Sequence, residues 1–390
     1  MKWKFYSLAF VAGMSILTAC SSDDNNDNDG NGGNGNGNEI ENGTILKGTI
    51  TSDVTLAAGN TYKLSGEYIV EEGATLHIEE GVKIIAVYDD IADYILVKQG
   101  GKINAVGTPD KPVVKTSEKE EPGAWGGIHI CGRAHTNAEG GKGSSEIGGA
   151  VYGGNDDADN SGTLQYIRLE YTGFAFDEEH EANGISFYGV GNGTIVDHCQ
   201  AYKGSDDGFE FFGGSVNVSN LVAVSCSDDS FDWTEGWNGK GTNLVAYQEA
   251  ESTLGYDCDC LMECDNNGSN NAATPVAHPV LKNLILVGNG GSKQGIRLRA
   301  GTEVEIDNAK VCGKGQPLTV ETALTENALK NGTSKLTNIT LTSELSCKEG
   351  IYTHADFIAV TSNKVDANLS YSSFEDIKKE CSWMNGNWVK

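Results

Sequence analysis

Short runs of alternating apolar and polar residues recur along this chain, and the clearest pair lies 22 residues apart. Ser205–Phe211 has the sequence Ser-Asp-Asp-Gly-Phe-Glu-Phe, and Ser227–Trp233 has the sequence Ser-Asp-Asp-Ser-Phe-Asp-Trp. Each copy contains a turn with two aspartates, followed by a strand with aromatic residues on one face and an acid on the other. One turn and one short strand in every 20 or so residues are typical of a solenoid.

The same pattern extends in both directions from this pair. From Thr44 onwards the strands are short and separated by glycine-containing turns, and no helical periodicity of 3.6 residues is sustained. Six segments align as one strand per coil: Gly127–Ile130, Gly184–Phe187, Gly208–Phe211, Ser230–Trp233, Leu261–Cys264 and Gly295–Leu298. The sequence therefore predicts an all-β chain folded as a parallel β-helix over residues 44–345, with a short mixed C-terminal cap at 346–390 that contains Trp383 and Trp388.

The N-terminus has the features of a secretory signal. Lys2 and Lys4 precede a short apolar run, and Leu17-Thr18-Ala19-Cys20 follows it. That ending resembles the lipobox of bacterial lipoproteins, which implies removal of residues 1–19 and acylation of Cys20, for example by palmitate. An ordinary signal peptide followed by an unrelated cysteine is the alternative.

Residues 20–43 are rich in Asn, Gly and Asp, and they are expected to form a disordered tether. The start of this tether, Ser21–Asp24, resembles the export signal of Bacteroidota surface lipoproteins. We therefore expect a protein that is lipid-anchored in the bacterial outer membrane and exposed at the cell surface. A plain acidic linker, which would leave the leaflet undetermined, is the alternative.

Composition narrows the range of partners. The formal net charge is −27, which disfavours nucleic acid and anionic lipid as partners, and no later segment is apolar for long enough to span a bilayer. Nine cysteines follow Cys20, and an extracytoplasmic location predicts disulfides among them. Cys226 is a candidate partner for the cluster at Cys258, Cys260 and Cys264, and Cys347 is a candidate partner for Cys381.

Several motifs in series resemble one known family. They are Gly100–Thr108, Lys111–Ser117, Pro122–Ile128, Tyr152–Asp157, Asn160–Leu164 and the Ser-Asp-Asp-Gly-Phe-Glu segment. The chain resembles the right-handed parallel β-helix surface lipoproteins of Bacteroidota, within the pectin-lyase-like superfamily. The resemblance implies the fold and no particular activity.

The repeats place acids in columns on the outer surface. Ser186, Glu210, Asp232, Glu263 and Arg297 should form one outward column, with Asp206, Asp207, Asp228 and Asp229 at the adjoining turn. Two carboxylates one coil apart repel by ~3.5 kcal/mol at an effective dielectric constant near 20. Such acids should bind a cation such as calcium, acquire raised pKa values, or spread into water as ordinary turn residues.

A second candidate calcium site is Asp157-x-Asp159-x-Ser161-Gly162. This segment matches the opening of a calcium-binding loop, but Arg168 stands where the closing glutamate would be. A polar turn is the alternative for these residues.

Three functions remain open. The first is non-catalytic binding of a glycan or other extracellular ligand, with or without calcium, through Trp237, Glu210, Asp232 and Glu263. The second is a polysaccharide lyase or glycoside hydrolase that uses Asp207, Asp229, Glu210, Asp232 and Arg297. The third is a structural or adhesive role in the envelope. Catalysis predicts an acid with a raised pKa beside Arg297 or Arg299 in a groove, binding predicts exposed aromatics near Trp237, and the structural role predicts neither.

Overall fold

A computed structural model describes residues 38–89, 91–176 and 180–390. The signal segment, Cys20 and most of the tether lie outside the described residues. The strands, in chain order, are β1 (Asn38–Ile40), β2 (Ile45–Ile50), β3 (Val54–Leu56), β4 (Thr61–Val70), β5 (Thr75–Ile78), β6 (Lys83–Ala86), β7 (Tyr94–Val97), β8 (Lys102–Val106), β9 (Val113–Ser117), β10 (Ile128–Cys131), β11 (Gly143–Ser144), β12 (Val151–Tyr152), β13 (Gly162–Glu170), β14 (Ile185–Tyr188), β15 (Ile195–Tyr202), β16 (Phe209–Phe212), β17 (Asn217–Val224), β18 (Phe231–Thr234), β19 (Lys240–Tyr247), β20 (Met262–Cys264), β21 (Val280–Val287), β22 (Gln294–Leu298), β23 (Glu305–Cys312), β24 (Gln316–Val320), β25 (Lys335–Leu341), β26 (Ser346–Cys347) and β27 (Lys364–Val365).

The helices of the described residues are few and short. They are α1 (Glu251–Leu254), α2 (Ala323–Asn331), α3 (His354–Ala359) and α4 (Phe374–Glu380), with single 3-10 turns at Glu139–Gly141 and Ser382–Met384. Within the described part of the chain, no helix is long and apolar enough to cross a membrane.

All strands except the β11–β12 hairpin stack in parallel, each against its counterpart one coil away. One sheet runs through β7, β10, β14, β16, β18, β20, β22 and β24. The longer strands β13, β15, β17, β19, β21, β23 and β25 form the other walls of the coil. Neighbouring strands lie ~4.8 Å apart, so equivalent residues form columns along the solenoid. The prediction of an all-β, right-handed parallel β-helix is confirmed.

Each long strand bends at one residue in the left-handed region, which divides it between two walls. These residues are Tyr166, His198, Asn220, Asn243, Asn283, Asn308 and Asn338. Asparagine tolerates this conformation because its short amide bonds locally. From Asn220 to Asn308 the amides also bond to one another: Asn243 donates to Asn220 at 2.8 Å, Asn283 to Asn243 at 3.0 Å and Asn308 to Asn283 at 2.8 Å. We call these four residues the asparagine ladder.

Stacked aromatic rings fill the middle of the core. Phe187 lies over Phe211 with centroids 5.0 Å apart, and Phe209 lies over Phe231 at 5.6 Å. Trp233 is buried, as its place on the inward face predicts. Trp237 is also buried, only 1% exposed, and stacks on Phe211 at 4.1 Å. The expectation that Trp237 is an exposed ligand-binding residue is therefore wrong.

The ends of the solenoid differ from the predicted boundaries. The first strand, β1, begins at Asn38, within the segment expected to be tether. The C-terminal segment divides in two: β26, α3 and β27 close the end of the solenoid, with Phe357 in the main core. The remainder runs back along the outside of the long strands, where Ile377, Met384 and Trp388 cover Val222, Val245 and Val287.

All nine cysteines that follow Cys20 are free thiols, and eight of them are buried. Cys347 packs against the main core, whereas Cys381 belongs to the cluster beneath the C-terminal segment. The expected disulfides, including a Cys347–Cys381 pair, are absent from these described residues. The cysteines act as small apolar side chains.

Candidate functional site

The predicted outward column exists. Parallel pairing places Ser186 beside Glu210, Glu210 beside Asp232, Asp232 beside Glu263 and Glu263 beside Arg297. The inward neighbours of Glu210 and Asp232 are aromatic, whereas those of Glu263 and Arg297 are not; all of them are buried, which fixes the strands and holds the acids at one-coil spacing.

A second row of acids lies at the turn before each strand. The backbone amide of Asp229 donates to Asp207 Oδ1 at 2.9 Å, and the amide of Cys260 donates to Asp229 Oδ1 at 2.6 Å. Each aspartate thus fixes the turn of the next coil through one carboxylate oxygen. The structure shows no hydrogen-bond donor for the other oxygen among the described residues. Asp207 and Asp229 are only 6% and 4% exposed, so these acids do not spread into water.

Loops inserted between coils close the site into a cleft of about 400 Å³. Glu146 comes from the loop around the β11–β12 hairpin, and Glu181 and Asn183 come from the segment before β14. We call this the acidic cleft; it is lined by ten carboxylates, one amide and one guanidinium, namely Glu146, Glu181, Asp206, Asp207, Glu210, Asp228, Asp229, Asp232, Asp259, Glu263, Asn183 and Arg297. Its formal charge is −9 if every group is ionised, since ten acids oppose one arginine.

Burial and mutual repulsion raise the pKa values of these acids. Burial, and then the charges of neighbouring acids, raise the pKa of Asp206 to about 7 and that of Asp228 to about 6. The same two causes hold the pKa values of Asp207, Glu210, Asp229 and Asp232 well above their usual range. Burial also raises the pKa of Glu146 to about 7.

Positive side chains contact two of the acids that line the cleft: Lys293 forms an ion pair with Asp259, and two arginines contact Glu263. Arg297 donates to Glu263 at 2.8 Å and to Glu321 at 3.2 Å, and Arg299 forms ion pairs with Glu263 and Asp265. These guanidinium groups neutralise Glu263, Asp265 and Glu321. They leave Asp206, Asp207, Glu210, Asp228 and Asp229 without a cationic partner among the described residues.

The acids form two equivalent groups, one coil apart. Asp207, Glu210 and Asp232 each bring an oxygen within 4.8 Å of the other two, and so do Asp229, Asp232 and Glu263. The second group is the first moved by one coil, and Asp232 belongs to both. Two further groups adjoin them, Asp206–Asp207–Asp228 and Asp229–Asp259–Cys260. Oxygen-rich groups of this kind suit a hard cation such as calcium.

The second predicted calcium site does not assemble. Asp157 accepts a 2.6 Å hydrogen bond from His135, and Asp159 accepts one from the Ser161 hydroxyl at 3.3 Å. Neither belongs to any cluster of three or more metal-capable side chains in the part of the chain that the structure describes. The polar-turn alternative fits these residues better.

Sequence reasoning missed four lining residues. Asp259 could have been found, because aligning Glu263 with Asp232 places Asp259 opposite Asp228. Asn183 could have been found in the same way, because aligning Ile185 with Phe209 places Asn183 opposite Asp207. Glu146 lies in an inserted loop whose path no repeat predicts, and Glu181 lies at the end of another. Asn183 matters because its amide donates to Glu210 at 2.6 Å.

A comparison with protein families gives one match. A family described as a pectate-lyase like beta helix domain matches residues 48–390, which include every residue of the acidic cleft. No curated protein matches the chain, and no solved structure matches it.

Proposed function

The chain belongs to the pectate-lyase-like β-helix family, and on that premise we propose that it binds calcium in the acidic cleft and through it an extracellular glycan, without cleaving it. The observation that carries the proposal is the pair of equivalent acid groups that share Asp232. This pairing supports two cation sites, one coil apart.

Charge makes a cation the natural first ligand. A cleft with ten acids and one arginine must retain several protons or bind several positive ions near neutral pH. The second oxygens of Asp207 and Asp229 add a further argument, since both residues line the cleft and neither oxygen has a donor among the described residues, so each is available to coordinate a cation. Calcium takes six to eight oxygen ligands, and positions that the protein leaves open are available to a ligand.

A glycan is the ligand that the site then favours. Hydroxyl and carboxylate oxygens of a sugar can complete the coordination of a bound calcium ion, and Arg297 lies at the end of the same cleft. An acidic glycan would be repelled by the cleft without cations. Binding should therefore depend on calcium. Trp237, being buried, takes no part.

We further propose that Cys20 carries a lipid anchor and that the tether displays the β-helix at the surface of the outer membrane. The support is the sequence pattern around Leu17–Asp24, which lies outside the described residues. Metabolic labelling with a palmitate analogue, compared between the wild type and Cys20→Ala, tests the anchor. Protease treatment of intact cells tests the exposure.

Calorimetric titration with calcium tests the main proposal, on protein that has been treated with chelator to remove divalent cations and then freed of the chelator. We expect two sites in the wild type, and weakening of both in Asp232→Asn, because this residue is shared. Asp110→Asn is the matched control, since Asp110 is an exposed aspartate outside the cleft. A screen of acidic and neutral polysaccharides, with calcium and with chelator, then tests glycan binding. Absence of any calcium binding would overturn the proposal.

A polysaccharide lyase or glycoside hydrolase is a second candidate, because buried acids with raised pKa values share a cleft with Arg297. This feature is the one that catalysis predicts, and the described residues show no exposed aromatics near Trp237, which simple binding predicts. Product release in the same screen, lost in Asp207→Asn, Asp229→Asn or Arg297→Gln, would establish catalysis. Binding without product would support the first candidate.

A further inference from the structure

A second cavity lies on the opposite strand family, between the asparagine ladder and the returning C-terminal segment. Its volume is about 280 Å³, and its polar and aromatic lining comes from Asn243, Asn283, Asn308, Lys310, Glu380 and Trp383. It shares no residue with the acidic cleft. We propose that this cavity, the ladder pocket, binds one pyranose unit of a neutral saccharide.

The asparagine ladder supplies unused hydrogen-bonding groups. Each of Asn243, Asn283 and Asn308 uses one amide N–H for its neighbour in the ladder, and an amide has two. The ladder also ends at Asn308, because in the next coil Asn338 donates to Asp307 at 2.6 Å. The Asn308 amide oxygen accepts no hydrogen bond from any described residue. Donors and an acceptor are therefore repeated along the wall of the pocket at one-coil spacing.

Trp383 supplies an aromatic surface. Its ring contacts Trp388 at 6.1 Å and His198 at 6.4 Å, which fix it from the side of the protein. Trp125, Trp233, Trp237 and Trp388 are at most 1% exposed, whereas Trp383 is half-buried. A sugar ring has apolar C–H faces and hydroxyl edges, so a rigid indole beside amides suits both of its surfaces.

Charge and size favour a neutral sugar unit. Lys310 and Glu380 form an ion pair with each other, so the ladder pocket has no net charge to attract an anion or a cation. Glu380 also accepts a 2.8 Å hydrogen bond from the Tyr371 hydroxyl, which fixes the pair. The volume lies just below the roughly 300–1,000 Å³ typical of small-molecule pockets, so one ring fits better than an oligosaccharide.

Tryptophan fluorescence gives a direct test, because Trp383 is the described tryptophan that solvent or ligand can reach. The purified protein is titrated with a panel of neutral monosaccharides and short neutral oligosaccharides, and hits are measured by calorimetry. We expect at least one saturable change with a Kd on the order of 1 mM. Asn308→Ala and Trp383→Ala should each weaken binding by about tenfold or more, and Trp383→Phe, which keeps an aromatic ring, should weaken it less.

The two binding proposals can be tested independently of each other. Binding in the ladder pocket should be unchanged by chelator and by Asp232→Asn, whereas binding in the acidic cleft should be lost in chelator and weakened by Asp232→Asn. No saturable response to any neutral sugar would overturn the ladder-pocket proposal. So would a response that survives in both Asn308→Ala and Trp383→Ala, each verified as folded by circular dichroism.

Discussion

Replacing Lys115 with Met should stabilise the protein, and by more at low pH than at high pH. Lys115 lies on β9, where the register places it between Ile84 and Leu169 in an inward column. It is 1% exposed, and its ammonium nitrogen has no hydrogen-bond partner among the described residues. Burying an amine in an apolar core costs free energy, and Met has a similar length without the charge.

The magnitude follows from the pKa. Burial lowers the pKa of Lys115 to about 7 from its usual 10.5. Between those values the unfolded chain binds a proton that the folded chain does not, so stability rises with pH across this interval. One pKa unit corresponds to about 1.4 kcal/mol. Burial of the Lys115 amine therefore lowers the free energy of unfolding by about 5 kcal/mol below pH 7, and by only about 2 kcal/mol at pH 9. Met removes this penalty.

Urea unfolding of the wild type and Lys115→Met at pH 6 and pH 9 measures the effect. The gain in free energy of unfolding should be roughly 3 kcal/mol larger at pH 6 than at pH 9. Lys83→Met, at an exposed position on β6, is the control and should show no pH-dependent gain. An equal gain at both pH values would refute the reasoning, because it would mean that the amine does not titrate on folding.

Three further predictions concern the cleft and the asparagine ladder. Without divalent cations, stability should fall as pH rises from about 4 to 7, because the raised pKa values of the cleft acids let the folded protein bind more protons than the unfolded chain. Calcium should reverse this loss, and melting temperatures at pH 5 and pH 7, with and without calcium, measure it. Asp229→Asn should raise the melting temperature in chelator but weaken calcium binding by about tenfold or more, a result that a purely structural aspartate would not give. Asn243→Ala should cost about 1–3 kcal/mol in urea unfolding, because it breaks two ladder hydrogen bonds at a positive φ; if Asn243→Gly costs as much, backbone strain contributes nothing.

Repetition made the fold and the acid column predictable from sequence. Phe209, Glu210 and Phe211 have counterparts one coil later at the same parity, so inward and outward faces follow from the pattern alone. Trp237 was mispredicted because the pattern stops at the end of β18. Glu235 and Gly236 both have positive φ, and this reversal turns the next side chain back into the core. No period-2 argument extends across such a turn.

Burial of the acids could not be predicted, because it arises from segments outside the repeat. An Asp-Asp-Gly turn is ordinarily solvated, and Asp207 is enclosed here by loops that bring in Glu146 and Glu181. The asparagine ladder, in contrast, has a signal in the sequence. Asn220, Asn243, Asn283 and Asn308 each occur in the middle of a long strand, where asparagine is unfavourable unless the backbone bends.

The solenoid itself does not require the acidic column, and this is the strongest reason to regard it as a binding site. At the equivalent position of this column, other coils have His129, Ser186 and Thr319, which are buried and are not acids. The core stack beneath, from Phe187 to Trp237, holds the strands whatever side chain faces outward. Three successive coils nevertheless place acids both on the strand and at the turn, where each pair costs free energy through repulsion. The fold would therefore tolerate neutral residues in this column, yet the column contains acids where loops enclose it. A bound cation explains the presence of these acids better than a contribution to folding stability does.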